Sequence, residues 1–148
     1  MNTKPWLVPA AAAVLALSLV SLAAGARSAS VQVFARLDTA QEVPSPHGTK
    51  QAAAGSFAGV IRDGTFRGVL ATLFLTGPTV SAHIHLGQRG KAGPVVLTLC
   101  SGPCPDMIVK RIPASVLAAI KKGIAYVNIH TALNPGGEVR GQITAGTG

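Results

Sequence analysis

The stretch Ala82-His83-Ile84-His85 alternates apolar residues with histidines. Successive side chains on a β-strand point to opposite faces. The alternation therefore predicts a strand that turns Ala82 and Ile84 into a core and both histidines to the other face. Residues two apart on one strand are separated by about 6.6 Å at Cα, so the two imidazoles can converge on one ion.

A second stretch, Tyr126-Val127-Asn128-Ile129-His130-Thr131, has the same alternation. Val127 and Ile129 share one face of the predicted strand, and Asn128 and His130 share the other. If this strand lies beside the first, His130 joins the two earlier histidines as a third imidazole. The sequence does not determine whether the two strands are neighbours, so the three-histidine site is a hypothesis.

The remainder of the chain predicts an all-β fold. One segment, 113–122, has the apolar spacing of a helix, with Pro113 in its first turn and Gly123 as its stop. The segment 105–111 is expected to be a connecting link, and Asp63-Gly64 is a hairpin signal. We predict an antiparallel two-layer β-sandwich or barrel with Greek-key-like topology and one short helix. Besides the two histidine-bearing stretches, the predicted strands are 31–37, 56–62, 66–75, 94–99 and 138–143.

Residues 1–26 have the pattern of a secretory signal peptide. Lys4 lies in a short basic start, residues 6–26 carry no charge, and Ala24-Gly25-Ala26 supplies the small residues of a cleavage site. An uncleaved membrane anchor is the alternative. No cysteine lies in this segment, so a lipoprotein anchor is excluded. We therefore predict a secreted or periplasmic protein with no stable membrane span after cleavage, and a single domain at 27–148 with its core at about 31–143.

The chain is basic, with 13 lysines and arginines against 5 acidic residues and a net charge of +8. These basic residues are scattered, and no aromatic residues are interleaved with them. Specific nucleic-acid binding is therefore not expected. The charge instead favours an unknown extracytoplasmic protein or a polyanion as the partner.

The two cysteines, Cys100 and Cys104, flank Ser-Gly-Pro. In an exported chain this pair predicts a disulfide that closes a short loop. A pair of thiolate metal ligands is the alternative.

Nitrogen-only ligation by His83, His85 and His130 suits copper or zinc better than magnesium or calcium. His47, on a loop rich in proline and glycine, is a candidate fourth ligand. The alternative is a polar cluster in which the histidines and Asn128 hydrogen-bond to one another and to nearby backbone.

Glu138 and Arg140 share a face of the last predicted strand. An anion site or a catalytic arginine is one interpretation. A structural ion pair with Glu42 or Asp38, which would pin the last strand, is the other and the one we favour. No serine lies in a nucleophile-elbow motif, and no paired carboxylates occur, so we assign no catalytic residue.

Several blocks of this chain resemble the CHRD domain, the module named after chordin, over about residues 31–143. The run Gly-Gly-Glu-x-Arg-Gly-Gln is the most diagnostic of them. The resemblance implies an extracytoplasmic module, since chordin is an extracellular antagonist of bone morphogenetic proteins and bacterial relatives are exported. The blocks, in chain order, are Gln41-Glu42-Val43-Pro44, Ala82-His83-Ile84-His85, Gly93-Pro94-Val95-Val96, Tyr126-Val127-Asn128-Ile129-His130-Thr131 and Asn134-Pro135-Gly136-Gly137-Glu138-Val139-Arg140-Gly141-Gln142.

A looser similarity links His83, His85 and His130 to the copper ligands of copper/zinc superoxide dismutases. The similarity implies an arginine beside the copper, for which Arg140 is the candidate. Nothing between His85 and His130 supplies the bridging histidine of those enzymes, and no zinc-site set of aspartate and histidines is present.

We therefore predict an exported CHRD-type binding module, not an enzyme, that holds copper or zinc through the three histidines. Two alternatives stay open. One is a copper-dependent redox enzyme resembling superoxide dismutase. The other is a structural envelope or extracellular protein with no metal site.

Overall fold

The structure is a computed structural model that describes residues 29–147. The predicted signal peptide at 1–26 lies outside these residues. The described chain forms strands and one α-helix, joined by turns and by a short 3-10 helix at Thr39–Gln41. The elements are β1 (Val31–Asp38), β2 (Ala54–Arg62), β3 (Thr65–Leu73), β4 (Ser81–Leu86), β5 (Val95–Ser101), β6 (Ile108–Arg111), α1 (Ala114–Lys121), β7 (Ala125–His130), β8 (Val139–Gln142) and β9 (Thr144–Thr147).

The strands form one antiparallel sheet in the order β5-β4-β7-β8-β1-β2-β3-β6, with β9 also paired to β1. β1, β2 and β3 are consecutive neighbours, and β8 lies on the other side of β1. The edge strands β5 and β6 approach each other. The sheet therefore nearly closes into a barrel, which confirms the all-β antiparallel prediction.

Two strands were not predicted. β6 occupies most of the segment expected to be a connecting link and pairs with β3, Phe66 opposite Lys110. β9 follows β8 after Ile143 and pairs with β1, Phe34 opposite Thr144. Each has only four residues, too few for alternation alone to identify a strand.

The turn and helix signals are confirmed. Asp63 and Gly64 join β2 to β3, both with positive φ, 51° and 69°, as the tightest hairpins require. The helix α1 lies within one residue of each predicted end. Lys122 is its C-cap, and the next residue, Gly123, has a φ of 69°, which suits a left-handed helix terminus.

The core lies inside the barrel and is built from the inward side chains of the strands. Phe57 and Phe66 stack there with ring centroids 4.6 Å apart. Helix α1 adds Val116, Ala119 and Ile120 from its buried face. No helix within residues 29–147 is both long and apolar enough to cross a bilayer.

Candidate metal centre

The two histidine-bearing strands are hydrogen-bonded neighbours. In the β4–β7 pairing, Ser81 lies opposite His130, His83 opposite Asn128 and His85 opposite Tyr126. Directly paired residues share a face of the sheet. The register therefore brings the three histidines to one face, which is the condition that the sequence left open.

The opposite faces of both strands line the barrel core. Ala82 and Ile84 on β4, and Val127 and Ile129 on β7, have no exposed surface. The predicted parity of both strands is confirmed. The histidine face of β7 is also covered, since all six residues of that strand are buried. We call this second region, on the outer side of the sheet, the polar layer. All of its members are buried except His83, which is half-buried; they are Glu42, His83, His85, Tyr126, Asn128, His130, Glu138 and Arg140.

The three histidines form a compact group. The ring centroid of His83 is 5.8 Å from that of His85 and 4.9 Å from that of His130, and His85 and His130 are 6.0 Å apart. One ligand nitrogen on each residue lies within 4.8 Å of the others. Nitrogens that share an ion at about 2.1 Å lie within about 4.2 Å of each other, so small ring movements suffice to bind one ion.

Backbone carbonyls orient two of the rings. Nδ1 of His85 is 2.9 Å from the Gly93 carbonyl oxygen, and Nδ1 of His130 is 2.9 Å from that of Pro135. A carbonyl oxygen only accepts, so each Nδ1 carries the proton and each Nε2 presents a lone pair. This is the arrangement in which metal-binding histidines are usually held.

Each histidine presents a buried nitrogen without a hydrogen-bond partner. These atoms are Nε2 of His85, Nε2 of His130 and Nδ1 of His83. Buried polar atoms normally have partners. A cluster of mutually bonded histidines would satisfy these atoms, but the rings contact one another without hydrogen bonds.

Burial lowers the pKa of all three histidines. The neighbouring His85 lowers the pKa of His83 further, and His83 and His85 do the same to His130. The hydrogen bonds to the Gly93 and Pro135 carbonyls raise the pKa of His85 and His130, but burial has the larger effect. The neutral imidazole, which is the metal-binding form, is therefore favoured.

Tyr126 and Arg140 extend the group on the His85 side. The Tyr126 ring stacks on His85 with centroids 4.9 Å apart and planes 12° from parallel. The guanidinium carbon of Arg140 lies 3.4 Å from the Tyr126 centroid, and its Nη2 donates to the Gln88 carbonyl over 3.0 Å. No functional role was predicted for Tyr126, although it shares the parity of Asn128 and His130.

Glu42 and Asn128 contact each other beside the histidines. Asn128 Nδ2 donates to Glu42 Oε1 over 3.3 Å, and the Val43 N–H donates to the same oxygen over 3.0 Å. Burial raises the pKa of Glu42, and Val43, Arg140 and Asn128 offset this only in part. The charge of Arg140 thus acts on Glu42, as the predicted ion pair requires. The hydrogen bonds of Glu42, however, come from the Asn128 amide and the Val43 N–H.

Glu138 is held by hydroxyl and backbone donors. The Thr76 N–H and hydroxyl donate to it over 2.7 and 2.6 Å, and the Thr131 hydroxyl over 2.5 Å. Burial acts to raise the pKa of Glu138, but these bonds outweigh it and lower the pKa. The contacts tie the β3–β4 loop to β7 and β8. Arg140 packs on the Tyr126 ring, and the ion pair of the last strand stays a prediction.

His47 lies outside the group of three. It is exposed, and its N–H donates to Asn134 Oδ1 over 2.7 Å while its carbonyl accepts from Asn134 Nδ2 over 3.1 Å. Cys100 and Cys104 lie apart from the histidine group at disulfide-bonding distance, with Cα atoms 5.3 Å apart.

One of three comparisons with known proteins identifies a family for this chain. The family model described as CHRD domain matches residues 33–143, which contain all three histidines and the whole polar layer. Searches of curated proteins and of solved structures found no match. Since the family model covers most of the sequence, the chain belongs to the CHRD domain family.

Proposed function

We propose that this protein is an exported CHRD-type binding module that holds copper or zinc through His83, His85 and His130. The observation that carries the proposal is the convergence of three buried, unpartnered imidazole nitrogens. Imidazole nitrogens are suitable ligands for both metals. Export is supported by the family and by the cysteine pair at disulfide distance.

The Gly93 and Pro135 carbonyls support ligation over a purely structural role for the histidines. They preset the tautomers of His85 and His130 before any ion arrives. Pre-orientation of this kind reduces the cost of binding. A structural cluster would have no need to leave all three inner nitrogens without partners.

The test is metal binding by purified wild-type protein and three variants. Copper and zinc are measured by elemental analysis and by titration for wild type, His83→Ala, His130→Ala and His47→Ala. His47→Ala is the matched control, since it removes the histidine outside the group. We expect about one ion per chain in wild type and in His47→Ala, and an affinity loss of about 100-fold or more in the other two.

Two results would contradict the proposal. One is a wild-type protein that takes up neither ion. The other is a loss in His47→Ala equal to that in His130→Ala. Circular dichroism of each variant separates lost metal from lost fold.

A copper-dependent redox enzyme is the second candidate. The observation that favours it is the half-buried state of His83, which leaves one side of the group open to a small molecule. Copper-loaded protein that consumes superoxide faster than the same concentration of free copper would support it. Activity at the free-copper level leaves binding as the function.

A further inference from the structure

The proposed ligands carry no negative charge. Three neutral imidazoles make up the group, and no carboxylate or thiolate within residues 29–147 joins it. A bound ion would therefore keep its full formal charge: one unit for Cu⁺ and two for Zn²⁺. The surroundings must stabilise that charge, so the nearest buried charges decide which ion is favoured.

A buried positive charge lies beside this group. Arg140 is only 1% exposed, and its guanidinium packs on one ring of the Tyr126–His85 stack. The two stacking distances together place it within about 8 Å of the His85 ring. Its Nη1 has no partner, and the guanidinium is always protonated.

The two buried carboxylates of the polar layer offset this charge poorly. Burial raises the pKa of Glu42, which favours its neutral form. Glu138 accepts hydrogen bonds from the hydroxyl groups of Thr76 and Thr131. The group of histidines is thus a neutral ligand set beside an incompletely compensated cation.

We infer that Arg140 makes this site selective for monovalent copper over divalent zinc. The inference rests on the proposed metal-binding function and adds the ion that the site takes. Both ions meet the same imidazoles, but Zn²⁺ brings one more unit of charge toward the guanidinium. At about 8 Å and an effective dielectric constant of about 20, that unit changes the relative affinity by about 10- to 30-fold. The described group supplies three ligands, so Zn²⁺ would take a water or another small ligand as its fourth.

The test compares two affinities in four proteins. Cu⁺ affinity is measured by competition with bicinchoninate under anaerobic reducing conditions, and Zn²⁺ affinity by competition with a chromophoric chelator. Arg140→Gln removes the charge but keeps an N–H donor for the Gln88 carbonyl. Arg140→Lys keeps the charge. Arg89→Gln removes an exposed neighbouring cation and is the matched control, because solvent screens its charge.

We expect Arg140→Gln to raise the Zn²⁺ affinity about 10-fold more than the Cu⁺ affinity, and Arg140→Lys and Arg89→Gln to leave the ratio within about 2-fold of wild type. Equal shifts for both ions in Arg140→Gln would overturn the inference while leaving metal binding intact. Failure of both ions to bind wild-type protein would instead refute the proposed function, and the inference with it.

A measurement on wild-type protein keeps the inference testable if Arg140→Gln does not fold. The inference predicts that wild-type protein binds Cu⁺ at least about 10-fold more tightly than Zn²⁺. A Zn²⁺ affinity equal to or above the Cu⁺ affinity would overturn the inference.

Discussion

The strands β3 and β7 belong to one sheet but are buried in different ways. β3 alternates over its central residues, with Phe66 and Gly68 buried and Arg67 and Val69 exposed. β7 is buried at all six positions, because loops cover its outer face. The burial pattern of β3 is that of an ordinary antiparallel strand, with one face in the core and the other exposed to solvent.

The difference lies in what the second face of β7 contains. The buried polar atoms without partners that the structure records in residues 29–147 all belong to the polar layer. Such atoms reduce stability unless something binds them. The β7 side of the molecule therefore carries features that favour ligand binding, whereas the β3 side carries features that favour folding. The following predictions test this division.

The largest effect on stability is expected on the β3 side, from Phe66→Ala. Phe66 is fully buried and stacks on Phe57, and truncations of this kind cost about 3–5 kcal/mol. Denaturant unfolding measures the loss, and the exposed Val69→Ala on the same strand is the control, expected within about 0.5 kcal/mol. Metal affinity per folded molecule should not change. A loss of metal binding in folded Phe66→Ala would remove the division between the two sides.

A smaller effect is expected in the polar layer, from Gly137→Ala. Gly137 has a φ of 130°, and a Cβ there would lie 2.4 Å from Asn128 Nδ2 and 2.6 Å from Glu42 Oε2. Strain and crowding together should cost about 2–3 kcal/mol. They should also weaken metal binding, since the Pro135 carbonyl that orients His130 is two residues away.

Gly136→Ala is the matched control, because a Cβ at the adjacent Gly136 meets nothing within 4 Å. Unfolding curves and zinc or copper titrations of both variants make the comparison. Equal behaviour of the two alanine variants would show that the polar layer tolerates added volume, contrary to this prediction.

The division between the β3 side and the β7 side of the molecule was only partly predictable from sequence. The faces of β4 and β7 follow from alternation within each strand, so Ile84 and His85 were assigned correctly. The pairing of Ser81 with His130 joins residues far apart in the chain, and local patterns carry no information about such pairs. The contact of Arg140 with Tyr126 depends in turn on the β7–β8 pairing, so local patterns could not predict it either.

The smallest effect and the sharpest test come from the two buried carboxylates, Glu42 and Glu138, whose pKa values move in opposite directions. Burial raises the pKa of Glu42 above its ordinary value of 4.5. The folded state then binds its proton more tightly than the unfolded state, so stability falls as pH rises from about 4.5 through the raised pKa. Glu42→Gln removes this penalty and brings an amide donor toward the unpartnered Asn128 Oδ1. The variant should therefore be more stable than wild type at neutral pH, and the advantage should disappear as the pH falls toward 4.5.

Glu138→Gln should behave in the opposite way, because hydrogen bonds from Thr131 and Thr76 outweigh burial and lower the pKa of Glu138. Its ionised form contributes stability that is complete above 4.5 and is lost as the pH falls through the lowered pKa. The variant should be less stable than wild type at neutral pH and should approach wild type only below 4.5.

Denaturant unfolding of the metal-free proteins between pH 3 and 8, with wild type at each pH, checks both signs. If Glu42→Gln were instead less stable than wild type at neutral pH, as Glu138→Gln is expected to be, Glu42 would be stabilised in its ionised form. The polar layer would then hold a compensated charge beside Arg140, and the electrostatic difference between the β7 side and the β3 side would be lost.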